Sequence, residues 1–165
     1  MQNNILTHKE IQHKVRRIAY QIYEANVSEK EIIVAGIDGG GLKFAKKIGE
    51  VLEDITDATV RLCTVKMDKK NPLKSGVTTS IPEAEYKNKS VVLVDDVLNS
   101  GSTLIYGVHH FLKVPLKKLK TAVLVNRNHK KYPVKADYKG ISLSTSLKEH
   151  VVVEFKTNKD IVYLN

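Results

Sequence analysis

The chain reads as an α/β protein: a mostly parallel central sheet flanked by helices, with a small hood. Three observations carry that reading. Short β-rich apolar runs recur at residues 32–37 (IIVAGI), 59–65, 91–94 and 119–125. Segments with apolar residues at helical spacing alternate with them, which is the pattern of βα units around a parallel sheet. Two of the runs end directly in polar loops built for ligands, at the strand ends where open α/β sheets bind them.

The elements follow in order. Thr7 with Glu10 three residues on is a capping-box signature, and Ile11, Val15, Ile18 and Ile22 then recur on one helical face until Asn26 and Ser28 break the pattern. Residues 32–37 form a buried strand that runs into Asp38-Gly39-Gly40-Gly41. Leu42, Ala45, Ile48, Val51 and Leu52 restore helical spacing. Residues 59–65 are the next strand. Residues 66–89 show no core-building period, and a loop of that length in a compact domain is functional or disordered. Residues 91–94 are the third strand, 95–102 an acidic and hydroxyl loop, and about 103–113 a helix with Leu104, Val108, Phe111 and Leu112 inward. Residues 119–125 are the fourth strand. A lysine- and proline-bearing stretch, 126–140, leads to short strand-like runs near 141–143, 151–155 and 161–164.

The bulk numbers set bounds. The 165 residues suit one domain, expected to span 1–165. At 42% hydrophobic and 27% charged, the chain can bury a core of ordinary size. No apolar run approaches the roughly 18 residues of a membrane span. The start, MQNNILTHKE, lacks a basic region followed by an apolar one, so no secretory signal is expected. The single cysteine, Cys63, excludes a disulfide framework within one chain. The expectation is a cytoplasmic protein without membrane contact.

Net charge is +9, which favours anionic partners. Much of it lies between Lys113 and Lys139, where Lys117, Lys118, Lys120, Arg127, Lys130, Lys131 and Lys135 add to the two ends and Asp137 is the only acid. A solvated lysine-rich surface, a nucleic-acid face and a polyphosphate-binding face all fit that span. Tyr132 and Tyr138 interleave with it, compatible with stacking on RNA or on a free base. The histidines show no metal-ligand spacing, and His109-His110 fits a helix surface.

Residues 91–104, VVLVDDVLNSGSTL, are the most informative stretch. Asn99-Ser100-Gly101-Ser102-Thr103 opens a helix, whose free N–H groups attract phosphate. Taken alone the loop is an ordinary N-cap. The preceding Asp95-Asp96 changes that reading, because adjacent carboxylates at the end of an apolar strand repel each other and call for a cation, a donor-rich ligand or solvent. Ribose hydroxyls and Mg²⁺ meet that demand. Asp38-Gly39-Gly40-Gly41 adds a second loop whose backbone N–H groups can cradle an anion. Its spacing is not that of the dinucleotide fingerprint. Two such loops suggest a ligand with phosphate at both ends.

VVLVDDVLNSGSTL resembles the signature of the type I phosphoribosyltransferases, which bind phosphoribosyl pyrophosphate (PRPP). ILTHKEIQHKVRRIAYQI, IIVAGIDGGGLKFAKKI and AVLVNRNHKKYPVKADYKGISLSTS resemble the PyrR family, pyrimidine-operon regulators that also act as uracil phosphoribosyltransferases. The resemblance covers most of the chain and is weakest at 66–89.

It implies transfer of the ribosyl phosphate of PRPP to a pyrimidine base, uracil foremost, giving a nucleoside 5′-monophosphate and pyrophosphate. Asp95 and Asp96 would be the catalytic acids, holding the ribose hydroxyls directly or through Mg²⁺ and water. Asn99, Ser100, Gly101, Ser102 and Thr103 would hold the 5′-phosphate, and Asp38, Gly39, Gly40 and Gly41 the pyrophosphate. Residues 66–80 would be a flexible loop, with Lys66, Lys69, Lys70 and Lys74. Residues 127–146 would form the hood, with Arg127, Lys135, Asp137 and Tyr138 near the base. It implies a homodimer or higher homo-oligomer. The alternative is a nucleotide-sensing, RNA-binding regulator with weak or no catalysis.

The chain also departs from the family. Ser102 stands where Arg or Lys is common. Gly39-Gly40-Gly41 replaces a Thr-Arg-Gly ending. The flexible loop is short and lacks arginine; its lysines are the candidate replacements, without arginine's bidentate contact.

Overall fold

The computed structural model describes residues 3–165. In chain order the elements are β1 (Asn3–Leu6), α1 (His8–Ala25), β2 (Glu31–Ile37), α2 (Gly40–Ile55), β3 (Thr59–Lys66), β4 (Thr78–Thr79), α3 (Glu83–Tyr86), β5 (Ser90–Leu98), α4 (Ser102–Phe111), β6 (Lys118–Arg127), β7 (Tyr138–Leu143), β8 (Val151–Glu154) and β9 (Ile161–Leu164).

A six-stranded sheet has the order β4-β3-β2-β5-β6-β7. All its pairings are parallel except β3 with the two-residue β4. Its central strands are buried on both faces, so their side chains alternate between two cores. Val92 and Val94 join the cluster under α1 and α2, while Val91 and Leu93 join the cluster under α4. This is why these runs are continuously apolar rather than alternating.

The helices form where the periodicities place them. Thr7 caps α1 by the expected reciprocal box: its N–H donates to Glu10 Oε2 at 2.8 Å, and Glu10 N–H donates back to Thr7 Oγ1 at 3.4 Å. Ile11, Val15, Ile18 and Ile22 are buried along it. Among the described residues, no helix is long and apolar enough to cross a membrane.

The hood differs from the expectation. Residues 127–146 do not form a separate cap, because Tyr138–Leu143 pairs in parallel with β6 and becomes an edge strand of the main sheet. A second, three-stranded antiparallel sheet, β1-β9-β8, stands apart from it. Asn3–Leu6, which shows too few apolar residues to read as a strand, pairs with β9. This small sheet shares the α1/α2 apolar cluster. The Phe155 ring lies parallel to Phe44 in the first turns of α2, with 6.2 Å between centroids. Buried Asp160 pins it further, accepting from Gln12 Nε2 at 2.9 Å and pairing with Lys47 at 3.0 Å. The small sheet therefore sits at the end of the molecule where α2 begins.

Candidate active site

The chain leaves β2 for β3 on one side and reaches β5 on the other, so the topology switches between β2 and β5. Such a switch point opens a crevice at the carboxyl ends of the two strands. Both ligand-type loops lie there.

The first is Asp38 to Gly41. Asp38 N–H donates to Val65 O at 2.8 Å, tying the loop to the end of β3. Gly39 is the N-cap of α2, and no side chain caps that helix. Gly40 and Gly41 lie against the acids of β5: a β-carbon on Gly41 would stand 2.9 Å from Asp95 Oδ1. The side chain of Asp38 itself is exposed.

The second loop follows β5. The strand continues to Leu98, so Asp95 and Asp96 lie within it rather than in the loop expected at 95–102. Gly101 adopts φ 86°, a left-handed conformation that side chains rarely take, and caps α4 without a side-chain bond. Val134 leaves no room for a β-carbon there. Asn99, Ser100, Gly101, Ser102 and Thr103, with Asp95, Val97, Leu98, Leu104 and Val123, line a cavity of about 60 Å³. It has room for a few water-sized groups, and the start of α4, where Ser100 Oγ accepts from Ser102 N–H at 3.2 Å, opens into the same loop.

Asp95 is buried and Asp96 half-buried. Asp95 Oδ1 accepts from Asp96 N–H, and Asp96 Oδ1 from Val97 N–H, both at 2.9 Å. Burial first, then the neighbouring Asp96 charge, pushes the Asp95 carboxyl well above the usual carboxylate range; Lys69 opposes the shift. A cation or hydroxyl donors arriving at this carboxylate would draw the proton off.

Of the four loop lysines, Lys69 reaches the site: its Nζ is 3.4 Å from the position a β-carbon on Gly39 would occupy. All four lysines, Lys66, Lys69, Lys70 and Lys74, are exposed. The segment carrying them is shaped by β4 pairing back on β3 and by an Asp68 turn, in which Oδ1 accepts from Lys70 N–H at 2.9 Å.

The residues expected at the base are not gathered there. Arg127 is buried, and its guanidinium is fully engaged. It donates to Asn99 Oδ1 at 2.9 Å, to Thr145 Oγ1 at 2.7 and 2.9 Å, to Ser146 O at 3.3 Å and to Glu149 O at 2.8 Å. Asp137 Oδ2 accepts from Thr121 N–H at 2.9 Å, and the Lys135 carbonyl accepts from the Thr121 hydroxyl at 2.5 Å. Thr121 is level with Leu93, below the acids, so Lys135 and Asp137 belong to the β6–β7 connection. Tyr138 packs into the α1/α2 cluster, and burial raises its phenol above its ordinary value. The basic span also divides. Lys117 pairs with Glu29 and Lys118 donates to Ala25 O, whereas exposed Lys130 and Lys131 adjoin Ser100, whose carbonyl accepts from Lys131 N–H at 2.7 Å.

Sequence reasoning put 144–146 in the hood without a role and missed 147–149; Arg127 and His129 hold this segment near the phosphate-type loop, with His129 Nε2 2.7 Å from Thr145 O. It also passed over Asn126, whose buried Oδ1 has no partner. The only signal for the first was Ser-Thr-Ser after a strand, too common to single out.

Residues 1–158 match the phosphoribosyl transferase domain family. The bifunctional protein PyrR of Streptococcus pneumoniae strain CGSP14 is 32% identical over 148 residues, covering 87% of this chain and 84% of that protein. A hypoxanthine-guanine phosphoribosyltransferase from Bacillus anthracis superposes with a TM-score of 0.78 at 21% identity, over 100% of this chain and 99% of that one. The hypoxanthine phosphoribosyltransferase of Trypanosoma cruzi in complex with the product IMP gives 0.80 at 19% identity, over 98% and 93%. At these identities the two solved structures speak to the fold.

Proposed function

The chain belongs to the phosphoribosyl transferase domain family, and on that premise we propose that it transfers ribosyl phosphate from PRPP to a pyrimidine base, uracil foremost. The observation that carries the reading is the meeting of two helix starts with glycine at the N-cap around Asp95 and Asp96 at the sheet's switch point. Uracil rests on the 32% identity to a PyrR protein.

In this reading the 5′-phosphate sits in the cradle of residues 99–103, against the N–H groups that open α4. The ribose hydroxyls meet the carboxyl groups of Asp95 and Asp96. The pyrophosphate lies at the start of α2, over Gly39, Gly40 and Gly41. The base nitrogen forms a bond to ribose carbon 1 and gives its proton to solvent. The carbon–oxygen bond to pyrophosphate breaks, and its electron pair leaves on the pyrophosphate oxygen. The protein's work is alignment, charge neutralisation and exclusion of water.

Asp95 and Asp96 also suit Mg²⁺, which is held by one or two carboxylates together with substrate oxygens and water. When bound it would supply positive charge to the pyrophosphate. Among the described residues no cluster of three or more acids, histidines or cysteines forms a separate metal cage, so the substrate would complete the coordination.

The test is nucleotide formation from PRPP and Mg²⁺ with uracil, cytosine, hypoxanthine or guanine, and with Asp96→Asn as control. UMP as the main product, lost in the variant, is the expected result. Turnover with a purine alone would replace the base. PRPP binding without turnover on any base would remove the catalytic claim.

A second reading, a nucleotide-sensing RNA-binding regulator, is favoured by the exposed Lys130, Lys131 and Tyr132 beside Ser100. It requires RNA affinity that falls steeply with salt and shifts with UMP or PRPP.

A further inference from the structure

We propose that the groove between α1, the outer face of α2 and the turn after β8 binds a short chain of phosphates, either free polyphosphate or the phosphates of a nucleotide. The proposal does not depend on the crevice at the switch point taking PRPP.

The groove follows from how α2 packs. Phe44, Ala45, Ile48 and Leu52 turn to the core. Lys43, Lys46, Lys47 and Glu50 recur at i, i+3, i+4 and i+7 and share the opposite face. His8 and Gln12 of α1 and residues 155–158 complete a groove of about 540 Å³, within the range of small-molecule sites. Its ion pairs are those of Lys47 with Asp160 and Lys156 with Glu154. Lys43 and Lys46 are exposed and belong to none among the described residues. Glu50 is the one acid on the lining.

The floor is built around a buried carboxylate. The side chain of Asp160 is 0% exposed, and a carboxylate so placed needs partners. Its Oδ2 takes Lys47 Nζ at 3.0 Å and Gln12 Nε2 at 2.9 Å, and its Oδ1 accepts from Lys156 N–H at 3.0 Å. Asp160 therefore ties α1, α2 and the turn into one frame. Its own N–H donates to His8 Nδ1 at 3.1 Å, so neutral His8 carries its proton on Nε2, on the side of the ring away from Asp160. Lys159 N–H donates to Lys156 O at 3.0 Å and closes the turn. With its oxygens engaged and out of solvent, Asp160 positions cations without offering an acceptor to a ligand.

The groove thus presents donors above all: the ammonium groups of Lys43, Lys46 and Lys47, and the imidazole N–H of His8. Phosphate oxygens accept several such bonds at once, and charge-assisted bonds are the stronger kind. Lys43 stands one helical turn, about 5.4 Å along the axis, from Lys46 and Lys47. Linked phosphates can meet these cations in succession, where a single phosphate meets fewer. The ring on the lining, Phe155, is already engaged with Phe44 and Lys47, so recognition rests on the phosphates.

The experiment titrates the full chain with tripolyphosphate in metal-free, low-salt buffer and follows backbone amide shifts by NMR. Saturable shifts at residues 43–50 and 156–160 are expected, and they should weaken as salt is raised. Lys43→Met/Lys46→Met should weaken this binding about 3- to 30-fold, the loss of two exposed charge contacts. Lys87→Met/Lys113→Met removes the same charge from exposed positions elsewhere and should change it less than about twofold. ATP beside tripolyphosphate separates the sources: tighter binding of ATP assigns a nucleotide, equal or weaker binding the free chain. Shifts confined to 38–41 and 99–103, equal losses in the two double variants, wild-type affinity in Lys43→Met/Lys46→Met, or orthophosphate binding as tightly as tripolyphosphate would each overturn the proposal. PRPP with Mg²⁺ is titrated separately; its failure to bind removes the crevice reading and leaves this one standing.

Discussion

The Asp96 carboxylate stands against the backbone of Gly40: a β-carbon built on Gly40 would lie 2.1 Å from Asp96 Oδ2 and 2.6 Å from its Cγ. The start of α2 and the acidic end of β5 thus touch through a position that tolerates only hydrogen. Gly40→Ala must turn the Asp96 side chain away or push the two strand ends apart. Overpacking of this kind costs about 1–3 kcal/mol. We expect a lower urea midpoint and at least about a tenfold loss of PRPP affinity, since the groups being separated are those proposed to share the ligand. Unchanged PRPP affinity in calorimetry would show that this contact does not shape the site.

Asp95 should oppose stability in the ligand-free protein. Its native-state carboxyl titrates well above the usual range because it is buried and next to Asp96. Above the ordinary carboxylate value the unfolded chain has lost this proton while the native state keeps it. Stability therefore falls as pH rises through that window and levels off above the native value. Asp95→Asn removes the titration. Thermal unfolding at pH 5 and pH 8 should show the variant gaining on wild type at the higher pH. Saturating PRPP with Mg²⁺ should reverse the order, because only wild type gains binding energy. A variant less stable than wild type throughout would contradict the account.

Much of this was legible before any coordinates, and the misses have physical reasons. Thr7 and Glu10 announce a helix start by local chemistry alone, and that helix starts there. The runs at 32–37 and 91–94 are apolar enough to mark strands buried on both faces. Two carboxylates in a row look unlike a strand and so read as a loop, but parallel pairing with β6 carries the backbone on to Leu98. Residues 141–143 read as a short strand-like run, but 138–140 read as part of the connection because an edge strand needs only one buried neighbour, and Lys139 faces solvent. Asn3–Leu6 depends on a partner at the other end of the chain, which no local pattern reveals. Lys69 was one lysine in four until the Asp68 turn and the β3–β4 pairing distinguished it.

Arg127 is predicted to act as a clamp rather than a base-binding group. Its guanidinium joins Asn99, at the start of the phosphate-type loop, to Thr145, Ser146 and Glu149. Arg127 is itself buried while its acceptors are half-buried or exposed, so Arg127→Ala removes these bonds and leaves a gap that water can reach, and we expect a loss of about 1–3 kcal/mol in urea unfolding. Lysine has one ammonium and cannot serve both sides of the fork, so Arg127→Lys should recover little. Ribose 5-phosphate affinity should fall in both variants through the loosened Asn99. A stable Arg127→Ala protein with altered base preference alone would return Arg127 to the base site.

His110 should make the protein acid-sensitive. It lies on α4 with its ring edge-on to Phe111, 5.8 Å between centroids, and both ring nitrogens are buried without a hydrogen-bond partner. Burial is the main reason its imidazole titrates below the ordinary value; Lys113 and His109 push the same way, and Glu83 opposes them. Above the ordinary histidine value both native and unfolded forms are neutral and the residue contributes nothing to the pH dependence. As pH falls below it, the unfolded chain takes a proton that the native state refuses, and stability declines until the native value is passed. His110→Phe keeps a ring against Phe111 and removes the titration. The urea midpoint of wild type should drop between pH 7.5 and pH 5 by more than that of His110→Phe. Equal drops in the two proteins would assign the acid sensitivity to other groups.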